Sequence, residues 1–538
     1  MKNIILIAGL ALVAMPSMAQ ETYENAKIAQ KDLNGTARYV GMGGALEALG
    51  ADISTMGTNP AGIGLMKHSV ANLSAGLSIQ GDGHDFADGN TTNASFDQGG
   101  FVISQRSGRK GFINFGFNYT KSRNLDYILS ASNALNGGSM NKLSYAKNLL
   151  GNAKAGGFYI DKNTDGEYIG YENSTSQYTS PTFNQLDYLL WNAFLVDPNT
   201  NSAGYNEGSS YIFDRAHTGY IGEYDFNVSG NINDRVFLGL TFGISDVHYK
   251  SYSTYTENLI DADGNGVGSL TIDDQRKITG TGVDVKFGAI FRPIENSPFR
   301  VGLYVHTPTW YDLTTKNYTS LTNNTKLGAY DNGHSQESYD YKIFTPWKFG
   351  VSLGHTIGNY LALGATYEFA DYGTLKTRIK TDDGYYDYYD DYYDNSENDV
   401  AMNHHTENTL KGVSTLKLGA EYKPIKDLAI RVGYNYVSSL FEKNGYKDGG
   451  IYSNGSYYSS ATDYTNWKST NRFTFGLGYV LGKFNMDFAY QYSAQKGDFY
   501  PFSALSTSDG SVTCTNAVSP TEVKNNRNQL LFTLGYRF

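Results

Sequence analysis

The sequence predicts an all-β fold: a transmembrane antiparallel β-barrel of fourteen strands whose lumen is plugged by a small N-terminal hatch, set in the outer membrane of a Gram-negative envelope. Three observations carry this reading. Beyond residue 20 no stretch holds 18 consecutive apolar residues, so no helix spans a bilayer. Large apolar or aromatic residues alternate with Gly, Asn and Thr in segment after segment, the period of a strand with one face to lipid and one to a lumen. The links between segments are short and long by turns, as tight periplasmic turns and long extracellular loops require.

Composition agrees. Sixty Gly, 45 Tyr and 28 Phe against 11 Pro is not a disorder signature, and interfacial Tyr with lumen-facing Gly accounts for it. A mean hydropathy of -0.42 is compatible, because only alternate residues face lipid. A net charge of -10 argues against a nucleic-acid partner. The lone cysteine, Cys514, rules out an intrachain disulfide framework.

In chain order, Met1-Lys2, the apolar run over 4–13 and the small-x-small site Ser17-Met18-Ala19 read as a secretory signal peptide over 1–19, with Gln20 first in the mature chain. Residues 20–67 do not alternate. They are rich in small side chains that suit tight packing inside a lumen, and Pro60 cannot donate to a ladder. A short helical turn is expected over 46–53. The barrel follows over 68–538, with strands expected at 68–79, 97–106, 111–123, 217–230, 235–252, 276–292, 299–315, 338–356, 359–381, 406–422, 427–442, 466–481, 483–497 and 526–538. An even count places both termini in the periplasm. The last strand presents Leu530, Phe532, Leu534, Tyr536 and a terminal Phe538 on one face, which resembles the signal read by the barrel-assembly machinery.

The longest loop, 124–216, holds two stretches at helical spacing: Met140, Leu143, Ala146, Lys147 and Leu150, then Phe183, Leu186, Leu190 and Phe194 with Trp191 nearby. Such faces must bury against something, either a captured ligand or the loop itself. Asp161-x-Asn163-x-Asp165-Gly166 with Glu172 has calcium-loop spacing, but its flanks read as strands, so a polar hairpin is the favoured reading and no metal is expected. Asp261 to Gly266 reads as a turn, because Ile272 stands where a Glu is needed. The acidic, Tyr-dense run 382–399 reads as a solvated loop that can meet lipopolysaccharide through cations, and His404-His405 is a weak metal pair. Parity sends Asp284, Lys286, Lys348, Glu368, Arg431, Asp487 and Arg537 into the lumen, to neutralise one another or tie down the hatch. Lys348 or Arg431 is placed to meet a carboxylate headgroup. No Ser/His/acid set stands at a convincing spacing, so neither an enzyme nor a cofactor is expected.

One stretch is more specific. Arg38, Gly41, Gly43, Gly44, Ala45, Asp52, Ser54 and Asn59-Pro60-Ala61-Gly62 resemble the hatch of the FadL/TodX family, outer-membrane transporters of long-chain fatty acids and other hydrophobic compounds. Thr307-Pro308-Thr309-Trp310-Tyr311-Asp312-Leu313 looks like that family's seventh-strand motif, and Thr345-Pro346-Trp347-Lys348-Phe349-Gly350 its eighth. The resemblance implies a monomer that binds a hydrophobic ligand at its loops and passes it to a lumen pocket. The hatch then shifts at Asn59-Pro60-Ala61-Gly62, with Gly41, Gly43 and Gly44, and the ligand leaves sideways through the wall. Lateral exit suits an acyl chain, which loses about 0.8 kcal/mol per CH₂ on entering water. The alternatives are a surface receptor or adhesin acting through its loops and a diffusion porin for polar solutes.

Overall fold

The computed structural model describes residues 21–538 apart from 109–110, 154–157, 163–167, 173–183, 191–195, 198–201, 326–331, 381–395, 449–450, 452, 454–460 and 509–512. The signal-peptide segment lies outside the described residues. Fourteen strands close an antiparallel barrel, each paired with the next and the last with the first. They are β1 (Val70–Gln80), β2 (Thr92–Ser107), β3 (Gly111–Asn124), β4 (Glu207–Ile232), β5 (Val236–Ile260), β6 (Gly266–Phe291) and β7 (Arg300–His306, then Trp310–Thr325). There follow β8 (Asn332–Phe344, then Lys348–Ile357), β9 (Leu361–Asp371, then Lys376–Lys380), β10 (Gly412–Ile425), β11 (Leu428–Val437), β12 (Tyr464–Leu481), β13 (Phe484–Tyr500) and β14 (Thr521–Arg537).

A lipid belt is legible on the outer face. Along β5 the outward residues are Val236, Leu238, Leu240, Phe242 and Ile244, and then Asp246, His248 and Lys250. Its register partner β6 matches, with Phe291, Ala289, Phe287, Val285 and Val283 before Thr281, Thr279 and Lys277. About nine residues of tilted strand make the roughly 25 Å apolar band of a bilayer-spanning barrel. The rest of the 25-residue β5 and the 26-residue β4 and β6 projects beyond it. The short turns lie at the opposite end. Asn233 and Asp234 both adopt left-handed backbone between β4 and β5, the geometry of a tight hairpin.

Five departures from the expected elements have physical causes. The strands expected over 299–315 and 338–356 are each broken, because Pro308 and Pro346 have no N–H to donate. The threonine before each proline compensates: Val285 N donates to Thr307 Oγ1 (3.0 Å) and Thr309 N to Thr345 Oγ1 (2.8 Å). The strand expected to begin at 406 is helix there; α5 (Val400–Thr409, the fifth helix in chain order) is capped by Asp399, which accepts from Met402 N at 2.9 Å. The helical turn expected over 46–53 is shorter than expected: Gly50 N donates to Leu46 O (2.7 Å), and positive φ at Gly50 and Ala51 ends the turn there. The loop expected over 124–216 is trimmed at both ends, since Tyr127–Ala134 pairs with an upward extension of β4.

Above the belt the barrel is filled. The helices α3 (Met140–Ala153) and α4 (Gln185–Leu190) place Met140, Leu143, Leu186 and Leu190 in a core with Tyr211, Phe213, Tyr255 and Phe499 of the wall. A second core gathers Ala26 and Ile28 of α1 (Thr22–Ala29) with Tyr249, Tyr341, Leu410 and Phe441.

Candidate functional site

The site is built where the N-terminal segment threads the lumen. It starts high: Tyr23 stacks on Phe441 with ring centroids 4.9 Å apart, and Thr22 Oγ1 lies 2.9 Å from Thr406 Oγ1 of α5. It then descends to α2 (Ala37–Gly41), started by the Thr36 hydroxyl accepting from Tyr39 N (3.1 Å). Tight turns carry it to Asn59-Pro60-Ala61-Gly62. There Asn59 accepts from Ala61 N (3.2 Å) and donates to Glu47 O (3.0 Å), and Pro60 occupies the first turn of a 3-10 helix, Pro60–Leu65.

This segment lies directly on a row of wall glycines, one on each of eight consecutive strands. A Cβ added at Gly239 of β5 would stand 2.3 Å from Pro60 C, and one at Gly288 of β6 2.0 Å from Asn59 Oδ1. At Gly302 of β7 it would reach Asn59 Nδ2 at 3.0 Å, and at Gly354 of β8 Ala48 C at 3.1 Å. The row continues with Gly364 of β9 against Ala45 O, Gly419 of β10 against Met42 O, Gly433 of β11 against Gly43 N and Gly476 of β12 against Gly41 Cα. Gly354, Gly364, Gly419 and Gly433 are direct register partners across four strands. The small face of the alternation is therefore a seat for the hatch backbone.

Buried charges lock the seat. Glu47 accepts from Lys417 Nζ (2.8 Å), Tyr39 OH (3.1 Å) and Thr366 Oγ1 (2.8 Å). Arg38 and Arg431 share Glu421, at 3.2 Å and 2.6 Å, and Arg431 also reaches Asp487 at 2.6 Å. Lys286, fully buried, meets Glu223 (2.5 Å), Asp225 (2.8 Å) and Asp284 (2.7 Å), while Lys31 meets Glu223 at 2.8 Å.

Over this floor lies a cavity of about 150 Å³. Its lower lining is charged, with Lys31, Arg123, Lys348, Glu368, Lys417 and Arg472 among it; its upper lining includes Tyr372, Val413, Leu440, Phe441 and Trp467. Beside it the wall opens. The β2–β3 ladder runs from Ser107↔Gly111 only to Gln98↔Thr120. Beyond that point, among the described residues, 92–96 pair with β1 alone and 121–124 with β4 alone. Asn34 of the hatch segment bridges the parted strands: its Nδ2 donates to Asp97 Oδ1 of β2 (2.9 Å) and to Lys121 O of β3 (3.0 Å). On the outer side Phe96 stacks on Tyr119, centroids 5.5 Å apart.

The sequence-predicted residues divide. Asn59, Pro60 and Ala61 lie against β5–β7, and Gly41 and Gly43 against β11 and β12, so the structure seats both groups on the one glycine row but at separate strands; Gly44 packs near Leu33 and Lys417, and Gly62 lacks the Cβ that would strike Thr55 Oγ1 at 2.5 Å. Lys348 lines the cavity, ion-paired with Glu368 at 3.1 Å. Arg431 does not line it, being held by Glu421 and Asp487 among the ties of the hatch. Leu186 and Leu190 are buried in the upper core, not at the cavity. Phe183, Trp191 and Phe194 lie outside the described residues. Asp161 and Glu172 fall on the antiparallel pair Phe158–Lys162 and Tyr168–Glu172, the expected hairpin, while Asn163 and Asp165 lie outside the described residues. His405 of the His404-His405 pair is engaged with Thr22 Oγ1 (3.0 Å) and Tyr446 O (2.9 Å). Arg537 stands exposed at the barrel rim. Lys31, Asn34 and Glu47 carry no local sequence signal; their partners are supplied only by the fold.

No protein-family model matches this sequence, and no curated protein does. Solved structures do resemble it. The toluene transporter TbuX of Ralstonia pickettii is 15% identical, with 94% of this chain and 99% of that one covered at a TM-score of 0.45. The toluene transporter TodX of P. putida is 12% identical over 94% and 99%, also at 0.45. A FadL homologue of Pseudomonas aeruginosa is 12% identical over 97% and 99%, again at 0.45. Similarity of this order assigns neither ligand nor mechanism to the present chain.

Proposed function

We propose that this chain is a passive outer-membrane transporter of the FadL/TodX type, taking up a hydrophobic molecule with one polar end, such as a long-chain fatty acid. The observation that carries the reading is Asn34, a hatch residue, tying the parted strands β2 and β3 beside a hatch-floored cavity. In this scheme the ligand's polar end rests among the cavity's charged side chains and its apolar part against Leu440, Phe441 and Trp467. Withdrawal of the hatch segment frees Asn34, and the ligand passes between Phe96 and Tyr119 into the membrane without crossing water. The step costs no chemistry and calls on no cofactor. A diffusion porin needs an open lumen, and the direct seating of hatch backbone on wall glycines speaks against one.

The test is a reducible bis-thiol cross-link between Phe96→Cys and Tyr119→Cys, made in a Cys514→Ser background. Cells carrying the cross-linked barrel should take up a fluorescent fatty acid no faster than cells lacking the protein, and reduction should restore uptake. Unchanged uptake through the cross-linked barrel would overturn the lateral route. No uptake even in the uncross-linked parent would favour the receptor or adhesin reading.

A further inference from the structure

Three exposed lysines stand side by side on the outer wall above the lipid belt. Lys250 of β5 is the direct register partner of Lys277 of β6, and Lys277 is the partner of Lys316 of β7. All three face outward. Like charges directly opposite one another on a sheet repel, so the row is unfavourable for the isolated chain. Among the described residues none of the three forms an ion pair. The nearby carboxylates are engaged elsewhere: Asp273 accepts from Thr254 Oγ1 (2.6 Å), Asp340 from Thr314 Oγ1 (2.5 Å), and Asp312 pairs with Lys380 (2.7 Å).

The row also has a defined height. Lys250, Lys277 and Lys316 each lie six residues beyond the point where the continuous outward apolar run of their strand ends, at Ile244, Val283 and Trp310, with Tyr252 and Tyr318 facing outward above the row. At the rise and tilt of a barrel strand this is roughly 15 Å above the hydrocarbon rim. The phospholipid headgroup layer extends only about 5–8 Å past that rim. A polyanion that meets all three lysines therefore stands higher than a phospholipid phosphate.

We infer that the Lys250–Lys277–Lys316 row is a binding site for the anionic core sugars, bearing phosphate and carboxylate groups, of an outer-leaflet glycolipid. The site needs the outer-membrane placement proposed above, with the short turns periplasmic, but not the transport reading. Three ammonium groups in register offer a ladder of charge-assisted hydrogen bonds to closely spaced anionic groups, and the bound polyanion removes the mutual repulsion of the lysines.

The test uses the full chain in detergent micelles, titrated by native mass spectrometry with three probes: lipid A carrying its inner-core sugars, lipid A alone, and phosphatidylglycerol. Replacing Lys250, Lys277 and Lys316 by Ser should weaken binding of the core-bearing glycolipid at least tenfold. The triple Arg variant should bind as the parent does. A matched loss of charge at the short-turn rim, Lys423, Lys426 and Lys483 to Ser, should leave binding unchanged. Equal affinity of parent and triple Ser variant for the core-bearing probe would overturn the site. So would an equal loss toward lipid A alone or phosphatidylglycerol, since the height of the row assigns it to the core. Normal fatty-acid uptake by the triple Ser variant keeps this outcome separate from that of the transport test.

Discussion

Gly288 and Glu47 show how tightly single residues hold the hatch. A Cβ on Gly288 would lie 2.0 Å from Asn59 Oδ1, and both groups are walled in, so Gly288→Ala must move the Asn59-Pro60 turn. Overpacking of this kind costs about 1–3 kcal/mol. The expected result is a barrel that still assembles but whose segment 53–66 becomes open to limited proteolysis; a protease-resistant hatch would count against the seat. Glu47 is fully buried, and Lys417 is its cationic partner at 2.8 Å. Lys417→Met leaves that carboxylate without its counter-charge, a loss of about 3–5 kcal/mol. Lys417→Met with Glu47→Leu should recover part of it. Thermal denaturation of the detergent-solubilised protein, read by near-UV circular dichroism, checks the ordering parent, double variant, single variant.

At the scale of elements, the docking of α1 on α5 is expected to depend on pH. Burial of the imidazole, opposed by Asp448 and the carbonyl of Tyr446, holds His405 below the ordinary histidine range. The folded state thus favours neutral imidazole. Its contribution is complete above the unfolded value of about 6.5 and is lost progressively as the pH falls below it. Amide exchange across 22–29 is expected to quicken between pH 7.5 and pH 5, and His405→Gln to remove most of that change. An unchanged pH response in the variant would place the sensitivity elsewhere, though not at Glu24: burial raises its carboxyl, but Lys27 and Arg276 outweigh that and bring it to about 2, so its contribution is lost only below this window. Above the belt, α3 and α4 close the barrel by burying the Met140, Leu143, Leu186 and Leu190 faces that the sequence placed on helices. This answers the demand of those faces for a partner, and wall side chains supply it.

At the scale of the whole molecule, plug and wall are separable, because β1 pairs with β14 along Val70–Gln80 without help from the hatch. Deleting residues 21–66 should therefore yield a closed, membrane-inserted barrel with a steady ion current in planar bilayers, where the parent passes almost none. A parent that already conducts steadily would support the porin reading. Uptake selectivity should fall with the deletion as current rises.

Much of this was legible in the sequence, because a strand's side chains alternate by geometry whatever the strand later pairs with. Parity alone sent Asp284, Lys286, Lys348, Glu368, Arg431 and Asp487 inward, and the alternation of Leu238, Leu240 and Phe242 with Gly239, Thr241 and Gly243 marked a lipid face and a lumen face. Thr-Pro at 307–308 and 345–346 was visible as a motif, yet the breaks it makes in β7 and β8 required the neighbouring N–H groups to be seen donating to the threonine hydroxyls instead of to a ladder carbonyl. The α1 and α5 helices are too short to form on local preference and exist by packing on each other and on the wall. The sequence by itself therefore determined a barrel, its strand order and a plug at its N-terminal end, all properties of local periodicity. Only the tertiary structure decided where the plug sits, which wall glycines receive it, and that Asn34 closes the gap between β2 and β3. Those depend on partners such as Glu47 and Lys417, which stand 370 residues apart and meet only when the barrel closes.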